Sequence, residues 1–138
     1  MKTAIRYFSK FGHSRQMAEA IAEVTGAKAL PVSEPMTEPV DVLFLGAGIF
    51  LGKVNPAVGA FIGKLDPADV KCAVCFGSSA IVASPVPQLK EMLESRGIAV
   101  APESFSCKGS MGPIHAGHPD AKDLEDLRSF VTNFKLSL

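Results

Sequence analysis

An apolar run, a loop rich in Gly or Ser, and then a helical pattern: this alternation recurs along the chain and points to a parallel α/β sheet, in which helices form the crossovers between strands. The first run, residues 3–8, leads through 9–14 into a helix reaching about Val24, with Met17, Ile21 and Val24 on one face and Gly26 as its stop. A weaker run at 27–32 gives the second strand. Residues 41–47 carry Val42, Leu43, Phe44 and Leu45 without a break, as a strand covered on both faces must, so this strand is central. After a loop at 48–54, Asn55 caps and Pro56 opens a helix with Val58, Phe61, Ile62 and Leu65 inward, closed by Pro67. Residues 70–76 form the fourth strand and 77–83 its loop. Ser84 and Pro85 then open a helix with Leu89, Met92 and Leu93 inward and Gly97 as terminator, and 98–100 begin a fifth strand. Residues 106–119 mix Gly and Pro without periodicity and read as a long loop. Asp120 and Asp123 stand at the positive end of a last helix, whose stripe is Leu124, Leu127, Phe130, Val131 and Phe134.

A length of 138 residues fits one domain, and the Pro-containing stretch at 31–39 is too short to separate two cores, so residues 1–138 are read as a single unit. With 47% hydrophobic and 20% charged residues the chain is not of the disordered class. Fourteen Lys and Arg against fourteen Asp and Glu leave no overall pull toward nucleic acid or an anionic membrane, and neither is expected as a partner. Every apolar run breaks before the roughly 18 residues that span a bilayer. The amino terminus is interrupted too soon, at Arg6 and Lys10, to serve as a secretory signal, so the cytoplasm is the expected compartment. The odd count of cysteines, Cys72, Cys75 and Cys107, suits a reducing environment rather than a disulfide framework.

Parallel strands with right-handed crossovers cover both faces only if the winding reverses once, and ligands bind at that reversal, outside the carboxyl ends of the strands. Ser9, Lys10, Phe11, Gly12, His13 and Ser14 offer two hydroxyls, a cation and a close backbone approach ahead of a helix N-terminus, a plausible phosphate cradle. The same hexapeptide also suits an ordinary turn capped by Ser14. Gly46, Gly48 and Gly52 imitate a dinucleotide fingerprint, but one residue too many separates the last two. Between them Ile49, Phe50 and Leu51 either cover a flat apolar ligand or tuck back onto the sheet. Gly77, Ser78 and Ser79 supply small side chains and backbone donors.

With these loops placed, the whole chain resembles the flavodoxins, the FMN-binding electron carriers. The family's phosphate loop, Ser or Thr, any residue, Thr, Gly, any residue, Thr or Ser, is matched by 9–14 except at Phe11. Residues 41–52 are similar to its third strand and ring-covering loop, while 103–109, 117–120, Asp123 and Leu124 resemble its C-terminal segment. The resemblance implies a three-layer α/β sandwich, a five-stranded parallel sheet in order 2-1-3-4-5 with helices on both faces. It further implies FMN, its phosphate on 9–14 and its ring between Gly48, Ile49, Phe50, Leu51 and Gly52 on one side and Gly77, Ser78 and Ser79 on the other. Phe11 lacks the family's hydroxyl, and with no Trp and Tyr7 in a strand, Phe50 becomes the best ring-stacking aromatic, with Met111 or Ile81 able to approach.

The expected function is electron transfer between a reductase and an acceptor. The alternatives are an FMN-dependent oxidoreductase acting with NAD(P)H or a quinone, and a flavodoxin fold that has lost FMN and serves as a binding or regulatory module. Cys72 and Cys75, three apart on a strand, face opposite ways and read as core residues, not as a redox pair opening a helix. Cys107, His115 and His118 match no established metal spacing, and no nucleophile elbow or other catalytic residue is recognisable. Because Lys10, His13 and Lys53 lie in or beside the expected site, bound FMN should show a second one-electron potential less negative than in an acidic flavodoxin. Potentiometric titration measures it, and a very low second potential refutes the expectation.

Overall fold

The computed structural model describes residues 2–10, 12–49, 53–79, 84–108 and 119–137. Its sheet has five strands, all parallel, in the order β2-β1-β3-β4-β5, with β1 at Thr3–Tyr7, β2 at Ala29–Pro31, β3 at Val40–Gly48, β4 at Val70–Ser79 and β5 at Val100–Lys108. The helices are α1 (His13–Thr25), α2 (Pro56–Gly63), α3 (Val86–Ser95) and α4 (Ala121–Ser137), with a 3-10 turn at Pro67–Asp69.

β3 is central because it pairs along its length with β1 on one side and β4 on the other, so its apolar residues are covered above and below. Val42 and Phe44 point to one face, where Ile5, Met17, Ile21, Val74, Phe76, Leu127, Val131 and Phe134 join them beneath α1 and α4. The Phe44 and Phe134 rings meet edge to face at 6.1 Å. Leu43, Leu45 and Ala47 point to the other face and pack with Val58, Phe61, Ile62, Leu89 and Leu93 of α2 and α3. The strand period of two thus builds two cores from one segment. Cys72 and Cys75 divide between them: Cys72 lies against the first core and Cys75 within the second.

Helix limits follow local chemistry. The Asn55 side chain accepts from Ala57 N at 2.9 Å and Pro56 takes the first turn of α2, while Gly26 ends α1 at φ 77. Several boundaries differ from those read in the sequence. β2 is only three residues long. β4 continues through Gly77, Ser78 and Ser79, and β5 starts at Val100 and continues to Lys108, because pairing between the two strands extends past the apolar stretch into small and polar residues. Ile98 is instead buried beside the end of α3, its amide bonded to Leu93 O at 3.0 Å. α2 stops at Gly63, although Leu65 beyond it remains buried.

Between β2 and β3 the chain makes no crossover helix, and Arg6 takes over the task of closing that corner. Its side chain, 6% exposed, donates from Nε to Glu34 O (2.9 Å), from NH2 to Pro35 O (3.1 Å) and from NH1 to Ile5 O (3.0 Å). Burial lowers its pKa and the nearby Glu34 carboxylate opposes that shift. Arg6→Ala strips the donors from these carbonyls and should lower stability by about 3 kcal/mol in urea unfolding, with Arg6→Lys restoring only part, because an ammonium cannot span the same acceptors. A loss below about 0.5 kcal/mol would show that the corner holds without it.

Candidate functional site

The chain leaves each of the five parallel strands at the carboxyl end of the sheet, and the backbone there is fixed by a few bonds. Val32 N donates to Tyr7 O (2.8 Å) and Phe8 N to Gly46 O (3.0 Å), so the chain leaves β1 held between β2 and β3. Ile49 N reaches Ser78 O at 3.3 Å, joining the exit of β3 to β4, and Val54 N donates to Gln88 Oε1 at 3.0 Å, tying the following loop to α3.

At the end of β1, Gly12 holds φ 88 and ψ −3 and caps α1, its carbonyl accepting from Gln16 N at 3.0 Å. The left-handed conformation explains the glycine, since a Cβ there would meet no atom within 4 Å and only strain forbids it. Ser14 therefore lies inside α1, 2% exposed, and is not its cap. The amides of Ser14 and Arg15 precede the first helical bond and have no acceptor within the helix, and no acidic residue occupies the first turn. Ser9 Oγ is buried and has no hydrogen-bond partner among the described residues. An unsatisfied buried hydroxyl costs about 1–3 kcal/mol, and here it sits in the loop that leads to a positive helix end.

At the neighbouring strand ends, Gly48 is the last residue of β3 and pairs with Ser78, which is 4% exposed. A Cβ on Gly77 would run into Ala47 O and the Pro85 ring, so only glycine lets β3, β4 and the start of α3 come together here. Ser79 pairs with Lys108 at the end of β5. Ile49 is half-buried against the α2 and α3 core. Lys10 and Lys53 are exposed. Phe11, Phe50, Leu51 and Gly52 lie outside the described residues, as do Ile81, Met111, His115 and His118.

The sequence reading missed how far β5 extends: Cys107, expected in a loop, is a strand residue whose Sγ lies 3.8 Å from Met17 Sδ under α1. Burial, with Asp123 and Asp120 nearby, pushes the Cys107 thiol up to about 12, and burial does the same to Cys75. Both remain protonated and unreactive near neutral pH. Also unforeseen is a groove of about 710 Å³ along α2, lined by Phe8, Ser9, Met36, Phe61 and Lys64 among others, which of the expected site residues touches Ser9.

No protein-family model matches the chain. It is 36% identical over 102 residues to an NAD(P)H dehydrogenase (quinone) of Geotalea uraniireducens, a match covering 70% of this chain and 49% of that protein. A second NAD(P)H dehydrogenase (quinone), of Geobacter metallireducens, is 32% identical over the same shares. The chain thus spans about half the length of these curated relatives. An uncharacterized protein of Methanocaldococcus jannaschii is 25% identical over 95% of this chain and 96% of its own. Among solved structures, a flavodoxin from the domain Archaea superposes with TM-score 0.79 at 18% identity, covering 96% of this chain and 95% of that one. Flavodoxin 2 of Bacillus cereus gives 0.75 at 18% identity over the full length of both. The chain has the flavodoxin fold from end to end.

Ser9→Ala removes a buried hydroxyl without breaking a described bond. The free protein should therefore keep its stability or gain up to about 1 kcal/mol in thermal unfolding. Marked loss of stability would mean that the hydroxyl serves the fold instead.

Proposed function

We propose that this chain binds FMN noncovalently at the carboxyl end of its sheet and carries electrons between a reductase and an acceptor. The observation that carries the reading is the buried Ser9 Oγ, without a hydrogen-bond partner among the described residues, in the loop leading to the N-terminus of α1. Hydroxyl, helix amides and positive dipole end are the donor set that a phosphate dianion requires. The fold supports the same reading, since the two flavodoxins named above align over nearly all of the chain.

Bound FMN supplies a ring that accepts and releases electrons one at a time. The chain's own residues hold and tune it. Ser9, Gly12, Ser14 and the first amides of α1 would take the phosphate, with Lys10 adding charge and His13 beside it. Phe11 leaves the third loop position without a hydroxyl, so the backbone bears more of the phosphate contact than in the family pattern. By the family pattern, Gly48, Ile49, Phe50, Leu51 and Gly52 would hold one side of the ring, and Gly77, Ser78 and Ser79 the other. The three free thiols suit the reducing cytoplasm. Among the described residues no helix is long and apolar enough to cross a membrane.

A second reading, an FMN-dependent oxidoreductase that takes electrons directly from NAD(P)H and passes them to a quinone, is favoured by the 36% identity to the Geotalea protein. Both readings use one site, and steady-state oxidation of NAD(P)H with and without a quinone separates them.

Titration of the purified protein with FMN, followed by absorbance and fluorescence, should give micromolar or tighter binding. Gly12→Val, strained at φ 88, should weaken it at least about tenfold. Unchanged affinity in that variant would move the phosphate elsewhere. Failure of the parent protein to bind FMN would sink both flavin readings and leave a fold adapted to another ligand or to a protein partner.

A further inference from the structure

The connection that leaves β3 is tied at both of its ends to β4 and the helix that follows it. At its start Ile49 N donates to Ser78 O, 3.3 Å away near the end of β4. At its finish Val54 N donates to Gln88 Oε1, 3.0 Å away in the first turn of α3. Gln88 stands 34 positions beyond Val54, so this second bond is a product of the fold and not of local sequence.

The first bond joins backbone groups and persists whatever side chains are present, as long as β3 and β4 stay paired. The second depends on one side chain. Val54 is 8% exposed and belongs to the core that also holds Val58, Val86 and Leu89. A buried backbone N–H without an acceptor is costly, so the Gln88 amide oxygen meets a demand that the packing of Val54 creates. Asn55, the next residue, commits its own side chain to Ala57 N at the start of α2. The same bonds join the two segments that the proposed function sets on opposite sides of the flavin ring, 48–52 and 77–79. At the strand ends their separation is given by the pairing of Gly48 with Ser78. Past the strands, Gln88 carries it.

We propose that Gln88 is a positioning residue for the flavin site: its side-chain oxygen fixes the far end of the connection from β3 to α2 and so sets how that connection lies against the ring. The proposal rests on the FMN reading and goes beyond it by naming a residue on α3 that acts through Val54. The phosphate end of the site is anchored separately. It follows β1 and leads into α1, which packs on the face of the sheet opposite to α3. Removal of the Gln88 acceptor therefore weakens the hold on the ring and leaves the hold on the phosphate as it was.

The test compares FMN with riboflavin, which has the ring without the phosphate, on the full chain. Gln88→Leu removes the acceptor, Gln88→Ala does so in a good helix former, and Gln88→Glu keeps an acceptor while giving up the side-chain donor. Gln88→Leu and Gln88→Ala should each lose about fivefold in affinity for both flavins, well below their melting temperatures, with the ratio of the two affinities unchanged. Gln88→Glu should bind both within about twofold of the parent. Gly12→Val, at the phosphate end, should instead change the ratio by weakening FMN alone. In the apoprotein, hydrogen exchange of the Val54 amide read by NMR should be at least about tenfold faster in Gln88→Leu and near parental in Gln88→Glu. Parental affinity for both flavins in Gln88→Leu and Gln88→Ala, a loss confined to FMN, an equal loss in Gln88→Glu, or unchanged Val54 exchange would each overturn the proposal. Failure of the flavin reading is distinct, since there the parent protein itself takes up neither flavin.

Discussion

Pairing of β3 with β1 and β4 along both of its edges is the constraint from which the rest of the molecule is built. A strand in that position has its backbone groups satisfied by its neighbours and its side chains sent alternately up and down. Val42 and Phe44 then require one apolar cover and Leu43, Leu45 and Ala47 another, and α1 with α4 and α2 with α3 provide them. A parallel sheet covered on both faces must have its winding reversed beside this strand, and the reversal opens the space at its carboxyl end. The site is thus a consequence of how the core is covered.

The β2 to β3 corner meets the same demand differently. Where a crossover helix would bury backbone and side chains together, a short connection leaves its carbonyls turned inward, and the Arg6 guanidinium satisfies them from the neighbouring strand. A buried cation bonded to carbonyl dipoles is tolerable because each of its three nitrogens donates to a carbonyl, which offsets the desolvation of the charge. The groove beside α2 lies along this shortened connection, with Pro35 and Met36 on its wall.

Two kinds of glycine shape the carboxyl end, for separate reasons. Gly12 is needed for its left-handed backbone and faces open space, while Gly77 is needed because β3 and Pro85 leave no room for a side chain. The first turns the chain from β1 into the α1 N-terminus, three residues after Ser9 and its buried hydroxyl. The second brings β3 and β4 close enough for Ile49 to bond Ser78. Lys10 and Lys53 are exposed in the connections that leave β1 and β3.

Much of this was legible in the sequence by itself, wherever a local rule governs. The unbroken apolar run at 42–45 identified the central strand, Asn55 and Pro56 marked the start of α2, Gly26 marked the end of α1, and Leu127, Val131 and Phe134 defined the buried side of α4. The residues at the strand ends were legible as a candidate site because Ser, Gly and Lys before a helix carry their chemistry locally. What only the tertiary structure decided depends on groups distant in the chain. Ser14 went inside α1 because Gly12 took the left-handed capping position. The ends of β4 and β5 lengthened past their apolar residues because each supplied the other's backbone partners. Arg6 became a buried structural cation because the carbonyls of Glu34 and Pro35 came to it, and Ser9 Oγ was left without a partner because no donor or acceptor of the described fold reaches it. Residue type and spacing fix the local conformation, but hydrogen-bond satisfaction is a property of the assembled neighbours, and that is where the sequence stopped and the fold decided.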